Sequence, residues 1–364
     1  YTEGFSPRPR VSFGLALATG YESEAEYLDM DLVDEPQIDH QVWALQICRQ
    51  LDLALPKGVD IVAAEVVDRS IDSLQKAVES CTWHIEVDGI GNCIAIKEGK
   101  PGSPKVMLAG HMDEIGFVVK HIDDKGFIRL SPLGGFDPKT LIAKRVTIIT
   151  SANEEITGMV GSKPIHIMTP EDRKKMPTVP ELFVDVGMSA EDARAKIEIG
   201  DPVTLQQSFQ VHGDRCTGKS LDNRVSIYTL IGAVRRYSNE NVSVYAVATT
   251  QEEIGVRGAT PAAHALDPDV AIAVDVGHAT DHPDCSKRKH GDYKLSGGPI
   301  ICRGPNIHPD VYQRLTEVAE TKGIPYQLEA EARPTGTDAR AIQITRSGIA
   351  TGLVSIPLRY MHTP

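Results

Sequence analysis

The chain has 364 residues, an apolar share of 41% and a net charge of −12, from 38 Lys and Arg against 50 Asp and Glu. That length allows two or three domains, and the apolar share is that of an ordinary globular protein rather than a disordered or fibrous one. An acidic chain argues against a nucleic-acid groove, no apolar run approaches the ~20 residues of a membrane span, and six scattered cysteines without a C-x-x-C pair exclude a zinc knuckle or a disulfide scaffold and point to a reducing cytoplasm.

Residues 1–87 read as a small α+β unit. Alternation over 26–32 predicts a half-exposed strand. Val42, Leu45, Ile47, Leu51 and Leu53 predict a helix over 39–54, with Asp39 as its N-cap and Pro56-Lys57-Gly58 as its break. A strand over 61–67 and a helix over 71–78 follow. The first residue is Tyr, and nothing there resembles a signal peptide.

From residue 86 onward short apolar runs alternate with helical patterns, the mark of βαβ units and a mostly parallel sheet. The runs are 93–96, 106–109, 244–249, 271–274 and 352–356. The helices are 222–237, 308–322 (stopped by Gly323) and 337–347 (stopped by Gly348). Residues 120–212 differ. Glycines and prolines punctuate short strand-like pieces such as 145–149 and 203–205, which predicts a β-rich domain inserted into the α/β one.

Several apolar runs lead into residues of metal-ligand type. Run 106–109 leads through Gly110 to His111, with Asp113 two residues on. Run 244–249 leads to Glu252 and Glu253, 271–274 to Asp275, and the last run to His362. In open α/β sheets ligands bind beyond the carboxyl ends of the strands, so these residues are expected to gather. Asp222, at the start of the 222–237 helix, joins them where a carboxylate suits the helix dipole. Taken singly, each has an ordinary role: His111 or His362 as a core or surface histidine, Asp222 as an N-cap, the glutamates as a solvated loop. Jointly they point to a metal site.

Imidazole nitrogen and carboxylate oxygen without thiolate suit zinc, manganese or cobalt, with histidine favouring zinc. Asp222, Glu253 and Asp275 carry one negative charge each. Two divalent ions and a bridging hydroxide bring them to neutrality, so a dinuclear site is expected. Asp113 suits a place behind His111, accepting from its second ring nitrogen. Glu252 is then left to act as a general base.

The segments AGHMDEIGF, GKSLDNR, QEEIGVRGA, AIAVDVGHATDHP, TGTDA and SIPLRYMHTP, in that order, resemble the dinuclear-metal aminopeptidases of the glutamyl aminopeptidase and tetrahedral (TET) aminopeptidase family over residues 88–364. The resemblance implies a doubly wound α/β catalytic domain, similar to other co-catalytic zinc exopeptidases, with an inserted PDZ-like β domain. It implies one ion held by His111, Asp222 and Asp275 and another by Asp222, Glu253 and His362, with Asp222 bridging. Glu252 would be the general base and Asp113 the residue that orients His111. Peptide substrates cut at the N-terminal residue, and a homo-oligomer, dodecameric through the inserted domain, are implied as well.

The chain also departs from that family. VDGIGN is present at 87–92, but the helix that opens family members before it is not recognisable, and the helix after the final His-Ser/Thr-Pro is absent. Residues 1–87 instead resemble part of an uncharacterised radical-SAM-linked domain. The expected organisation is that partial segment over 1–87, a catalytic domain over 88–119 and 213–364, and an inserted oligomerisation domain over 120–212, clipped at both ends as in a fusion or assembled fragment. Two other readings stay open: a different amide metallohydrolase, such as a deacylase or carboxypeptidase, and an inactive fusion. Glycoside chemistry from two carboxylates is disfavoured by the histidines.

Overall fold

The computed structural model describes residues 10–13, 28–31, 83–283 and 285–363. The helix expected over 39–54, the strand over 61–67 and the helix over 71–78 lie outside the described residues. Strands β1 (Arg10–Phe13) and β2 (Leu28–Asp31) pair antiparallel, with Arg10 opposite Asp31. From Trp83 on, the chain divides into two compact units, one of residues 83–113 with 208–359 and the other of 114–207 with 360–363.

The first unit opens with β3 (His84–Val87), β4 (Cys93–Lys97) and β5 (Lys105–His111). The second unit follows. Its strands are β6 (Gly116–Ile122), β7 (Ile128–Leu133), β8 (Arg145–Ile149), β9 (Glu155–Gly161), β10 (Phe183–Asp185) and β11 (Pro202–Leu205). They close into a barrel in the order β10-β7-β6-β11-β8-β9. Closure removes exposed strand edges, and alternate residues such as Phe117, Val119, Ile128, Val146, Ile148 and Val184 fill the interior. Two short helices, α1 (Pro170–Lys174) and α2 (Ala190–Lys196), accompany it, each begun by a Thr or Ser cap that accepts a backbone N–H.

The chain then returns to the first unit through a ribbon, β12 (Gln210–His212) and β13 (Arg215–Thr217). After it come α3 (Leu221–Arg236), β14 (Ser243–Thr249), α4 (Ala259–Leu266), β15 (Val270–His278), α5 (Lys287–His290), β16 (Ile300–Arg303), α6 (Pro309–Lys322), β17 (Gln327–Ala330), α7 (Asp338–Gln343) and β18 (Ala350–Leu358). Eight strands form one sheet in the order β17-β16-β18-β15-β5-β14-β4-β3.

Its centre, β18-β15-β5-β14, is parallel, as the buried apolar runs predict. β14 is buried at every position. The sheet as a whole is mixed: β4 pairs antiparallel with both β3 and β14, and β16 with β18. A short turn cannot join parallel neighbours, and the 88–92 turn between β3 and β4 leaves only a hairpin.

Helices cover both faces. Met107 and Ala109 of β5 pack with Ala259, Ala262 and Ala263 of α4 and Ile342 of α7. Leu108 faces the other way, into a cluster with Val234 of α3. A Cβ on Gly110 would come within 3.2 Å of both Ser226 on α3 and the carbonyl of Val274 on β15, so glycine lets α3 lie close over the end of β5.

Candidate metal centre

Parallel register brings the first candidate ligands together. Thr249 of β14 stands opposite His111, and Ala273 of β15 stands opposite Ala109. Carried two residues further, that ladder sets Asp275 beside His111. The sequence places Asp275 just after its strand, but β15 runs on through it to His278, because β18 continues the parallel ladder as far as Leu358. The carboxylate therefore sits on a rigid strand rather than a loop.

His111 is 1% exposed. Its Nε2 lies 3.1 Å from Asp222 Oδ1, 3.7 Å from Asp275 Oδ1 and 3.9 Å from Glu252 Oε2. Its Nδ1 turns to Asp113, 3.1 Å from the backbone carbonyl oxygen and 3.5 Å from Oδ1. One ring nitrogen is held by Asp113 while the other faces three carboxylates, which is how ligating histidines are oriented in metalloproteins.

Asp222 reaches the site from the start of α3. Asp222 and Asn223 both have non-helical backbone angles, so regular helix begins after them. Asn223 donates through Nδ2 to the carbonyl oxygen of Val274 at 3.1 Å, which ties the helix start to β15 next to Asp275. Glu252 and Glu253 lie on the loop that follows β14. Their backbone N–H groups donate to Asp113 Oδ1 and Oδ2 at 3.1 and 3.2 Å.

His111, Asp222 and Asp275 offer ligand atoms within 4.8 Å of one another, and so do His111, Glu252 and Glu253. His362 belongs with the second unit, where a Cβ on Gly135 would lie 3.5 Å from its Nδ1.

The electrostatics fit a cation. Burial pushes Glu252 up to about 9, with His111 opposing and Asp275, Asp338 and Glu253 adding. Burial also raises Asp275, against the pull of His111 and with repulsion from Asp222. Burial alone would lower His111, but Asp113, Asp222 and Asp275 outweigh it and hold the imidazole well above its usual value. Carboxylates this buried and crowded ionise only beside compensating positive charge and otherwise take up protons. Nitrogen and oxygen donors with that demand suit divalent ions of the zinc, cobalt or manganese kind.

The sequence reading passes over one neighbour. Asp338 is buried, its Oδ2 accepts from Thr249 Oγ1 at 2.5 Å, and its Oδ1 has no hydrogen-bond partner among the described residues. Burial lifts it to about 7, with His111 and Thr249 opposing and Asp275 and Asp113 adding. TGTDA contains it, yet an aspartate directly after the N-cap Thr337 reads as an ordinary helix start. Nothing in its spacing aims it at Thr249.

Residues 91–364 match the family model described as M42 glutamyl aminopeptidase. Residues 1–114 match the model of an uncharacterised protein conserved in bacteria (DUF2344), a description that carries no radical-SAM link. A lysyl aminopeptidase of Pyrococcus furiosus is 40% identical over 283 residues, covering 77% of this chain and 80% of that one. Among solved structures, the TET aminopeptidase of the marine sediment archaeon Thaumarchaeota archaeon SCGC AB-539-E09 is similar at a TM-score of 0.75 and 32% identity, covering 79% of this chain and 82% of that one. The TET1 peptidase of Pyrococcus horikoshii, which can assemble into a tetrahedron or a large octahedral shell, is similar at a TM-score of 0.69 and 28% identity, covering 80% and 85%.

Proposed function

This chain belongs to the M42 glutamyl aminopeptidase family and is a metal-dependent aminopeptidase, and from that premise we propose how its own residues divide the work. His111, Asp222 and Asp275 would hold one divalent ion, and Asp222, Glu253 and His362 would hold a second. The observation that carries the reading is the convergence of Asp222, Asp275 and Glu252 on Nε2 of a buried His111. The second set is supported by Glu253, next to Glu252 on the loop after β14, and takes His362 from the family resemblance. Zinc suits the two histidines, and cobalt or manganese suits the carboxylates.

When bound, such ions polarise the scissile carbonyl and acidify water. The remaining steps belong to side chains. Asp113 fixes the ring of His111 and the backbone of both glutamates. Glu252 accepts the proton of the attacking water and returns it to the leaving amine. It can do so only when cation charge offsets the burial, and the neighbouring carboxylates, that hold it up near 9.

The same reading makes 88–119 with 213–364 the catalytic domain and 120–212 a PDZ-like insertion through which the chain forms a homo-oligomer, dodecameric by analogy with its relatives. Residues 1–87 are an added segment of uncharacterised type. Among the described residues no helix is long and apolar enough to cross a membrane, and the scattered free cysteines fit a reducing cytoplasm.

A panel of aminoacyl amides against N-acetylated amino acids tests this reading. Cleavage of free-amine substrates, lost with a chelator and restored by zinc or cobalt, is expected. Cleavage of the acylated compounds alone would make the protein a deacylase. Less than one tightly bound divalent ion per chain, with no activity after metal addition, would make it an inactive fusion.

A further inference from the structure

We propose that Asn92, at the end of the turn between β3 and β4, is a positioning residue that holds the Glu252–Glu253 loop in its working shape. The inference rests on the roles given above to Glu252 and Glu253. Asn92 is fully buried, and its whole carboxamide is engaged. Oδ1 accepts from the backbone N–H of Thr250 at 2.9 Å and from Thr250 Oγ1 at 3.3 Å. Nδ2 donates to the carbonyl oxygen of Gly258 at 2.9 Å and to Asp88 Oδ2 at 2.6 Å. Thr250 and Gly258 are the two arms of the loop that carries both glutamates. One amide thus clamps both arms, across separations of 158 and 166 residues.

The loop needs such a clamp. Gln251, Gly255 and Val256 all have positive φ, at 61°, 121° and 57°, and two of the three are not glycine. Its internal bonds are short-range: Gly255 and Val256 donate to the carbonyl of Glu252, Arg257 to that of Gln251, and Gly258 to that of Thr250. Two side chains from elsewhere hold its backbone, Asp113 at the glutamates and Asn92 at the base. Asp113 sets where the glutamates point, and Asn92 sets the origin from which the loop departs.

Asparagine is required by the partners. A carboxylate at 88 only accepts, an N–H at 250 only donates, and a carbonyl at 258 only accepts, so the residue between them must offer two donors and an acceptor. Asp88 is itself held, its Oδ1 accepting the backbone N–H groups of Ile90 and Asn92 at 3.0 Å. Gly258 completes the fit, because a Cβ there would lie 2.4 Å from Asn92 Oδ1 and 2.3 Å from the carbonyl oxygen of Thr250.

The test compares Asn92→Ala, Asn92→Asp and the exchange Asp88→Asn with Asn92→Asp in the full chain. Asn92→Ala is expected to lower kcat about 100-fold, the scale of a small misplacement of catalytic groups, with KM changed less than twofold. Amide hydrogen exchange in the metal-free protein should speed up over residues 250–258 and stay unchanged over β14. Asn92→Asp sets two carboxylates against each other and should be as poor. The exchange variant restores one donor between positions 88 and 92 and should recover part of kcat. Unchanged kcat and loop protection in Asn92→Ala would overturn the proposal. So would faster exchange across the whole sheet with no recovery in the exchange variant, which is the signature of a general packing role. If Glu252→Gln kept full activity while Asn92→Ala still loosened the loop, the role of Glu252 would fall and the clamp would stand.

Discussion

The carboxylate of Asp113 accepts the backbone N–H of Glu252 at 3.1 Å, while its own backbone carbonyl faces Nδ1 of His111. One residue therefore sets both the imidazole proposed as a ligand and the segment bearing the proposed base. Asp113→Ala is expected to cost 10–100-fold in activity or metal affinity, the usual range for groups behind a metal ligand. Asp113→Asn should cost less, since its carbonyl oxygen can still accept from one glutamate N–H. Equal activity of the two variants with the native protein would sink this role.

Glu252→Gln removes the proposed proton acceptor and leaves shape and backbone bonds intact. The expected loss in kcat is about 10²–10⁴-fold, the contribution of general acid–base catalysis. Metal content should not change, because Glu252 is assigned no ion. A variant that loses its metal instead would reassign Glu252 as a ligand.

Metal counting separates the ligands. Elemental analysis should find Asp222→Ala stripped of both ions, since its carboxylate is assigned to both proposed sets. Asp275→Ala and Glu253→Ala should each lose one, and remain about half loaded. Similar losses in all three would mean one ion or a different division of ligands.

The chelated protein should grow less stable as pH rises. Asp338 is raised to about 7 from 3.8 and Glu252 to about 9 from 4.5, chiefly by burial. A carboxyl whose folded pKa lies above its unfolded value binds more protons folded than unfolded over the interval between them. Its stabilisation is complete below the unfolded value and is lost as pH climbs through the folded one. The melting temperature of the metal-free protein should therefore fall between about pH 5 and 9. Asp338→Asn should flatten the part of that fall below about pH 7. With divalent ions present the trend should weaken, because the cation competes with the same protons. A flat profile without metal would contradict the burial of these groups.

Much of this was legible in one dimension. The buried run 244–249 announces a central strand, and β14 spans Ser243–Thr249. The glycine stop at Gly323 marks the end of α6, where that residue takes an αL conformation. The run into Asp275 locates the carboxylate, but not that its strand continues, because strand length here is set by β18 alongside. Asp222 reads as a helix start, while the non-helical backbone that offers its carboxylate to His111 depends on Asn223 reaching Val274.

The sequence by itself determined the residue types, their order and the short-range stops: which runs are apolar, which end in His, Asp or Glu, and so which chemistry the chain can hold. Tertiary structure alone decided that Asp338 meets Thr249, that Asn92 spans Thr250 and Gly258, and that the strand bearing Asp275 runs on to His278. Those pairings follow from strand register and from loops closing over long separations. They depend on how whole elements pack, and nothing in the local spacing of the chain records it.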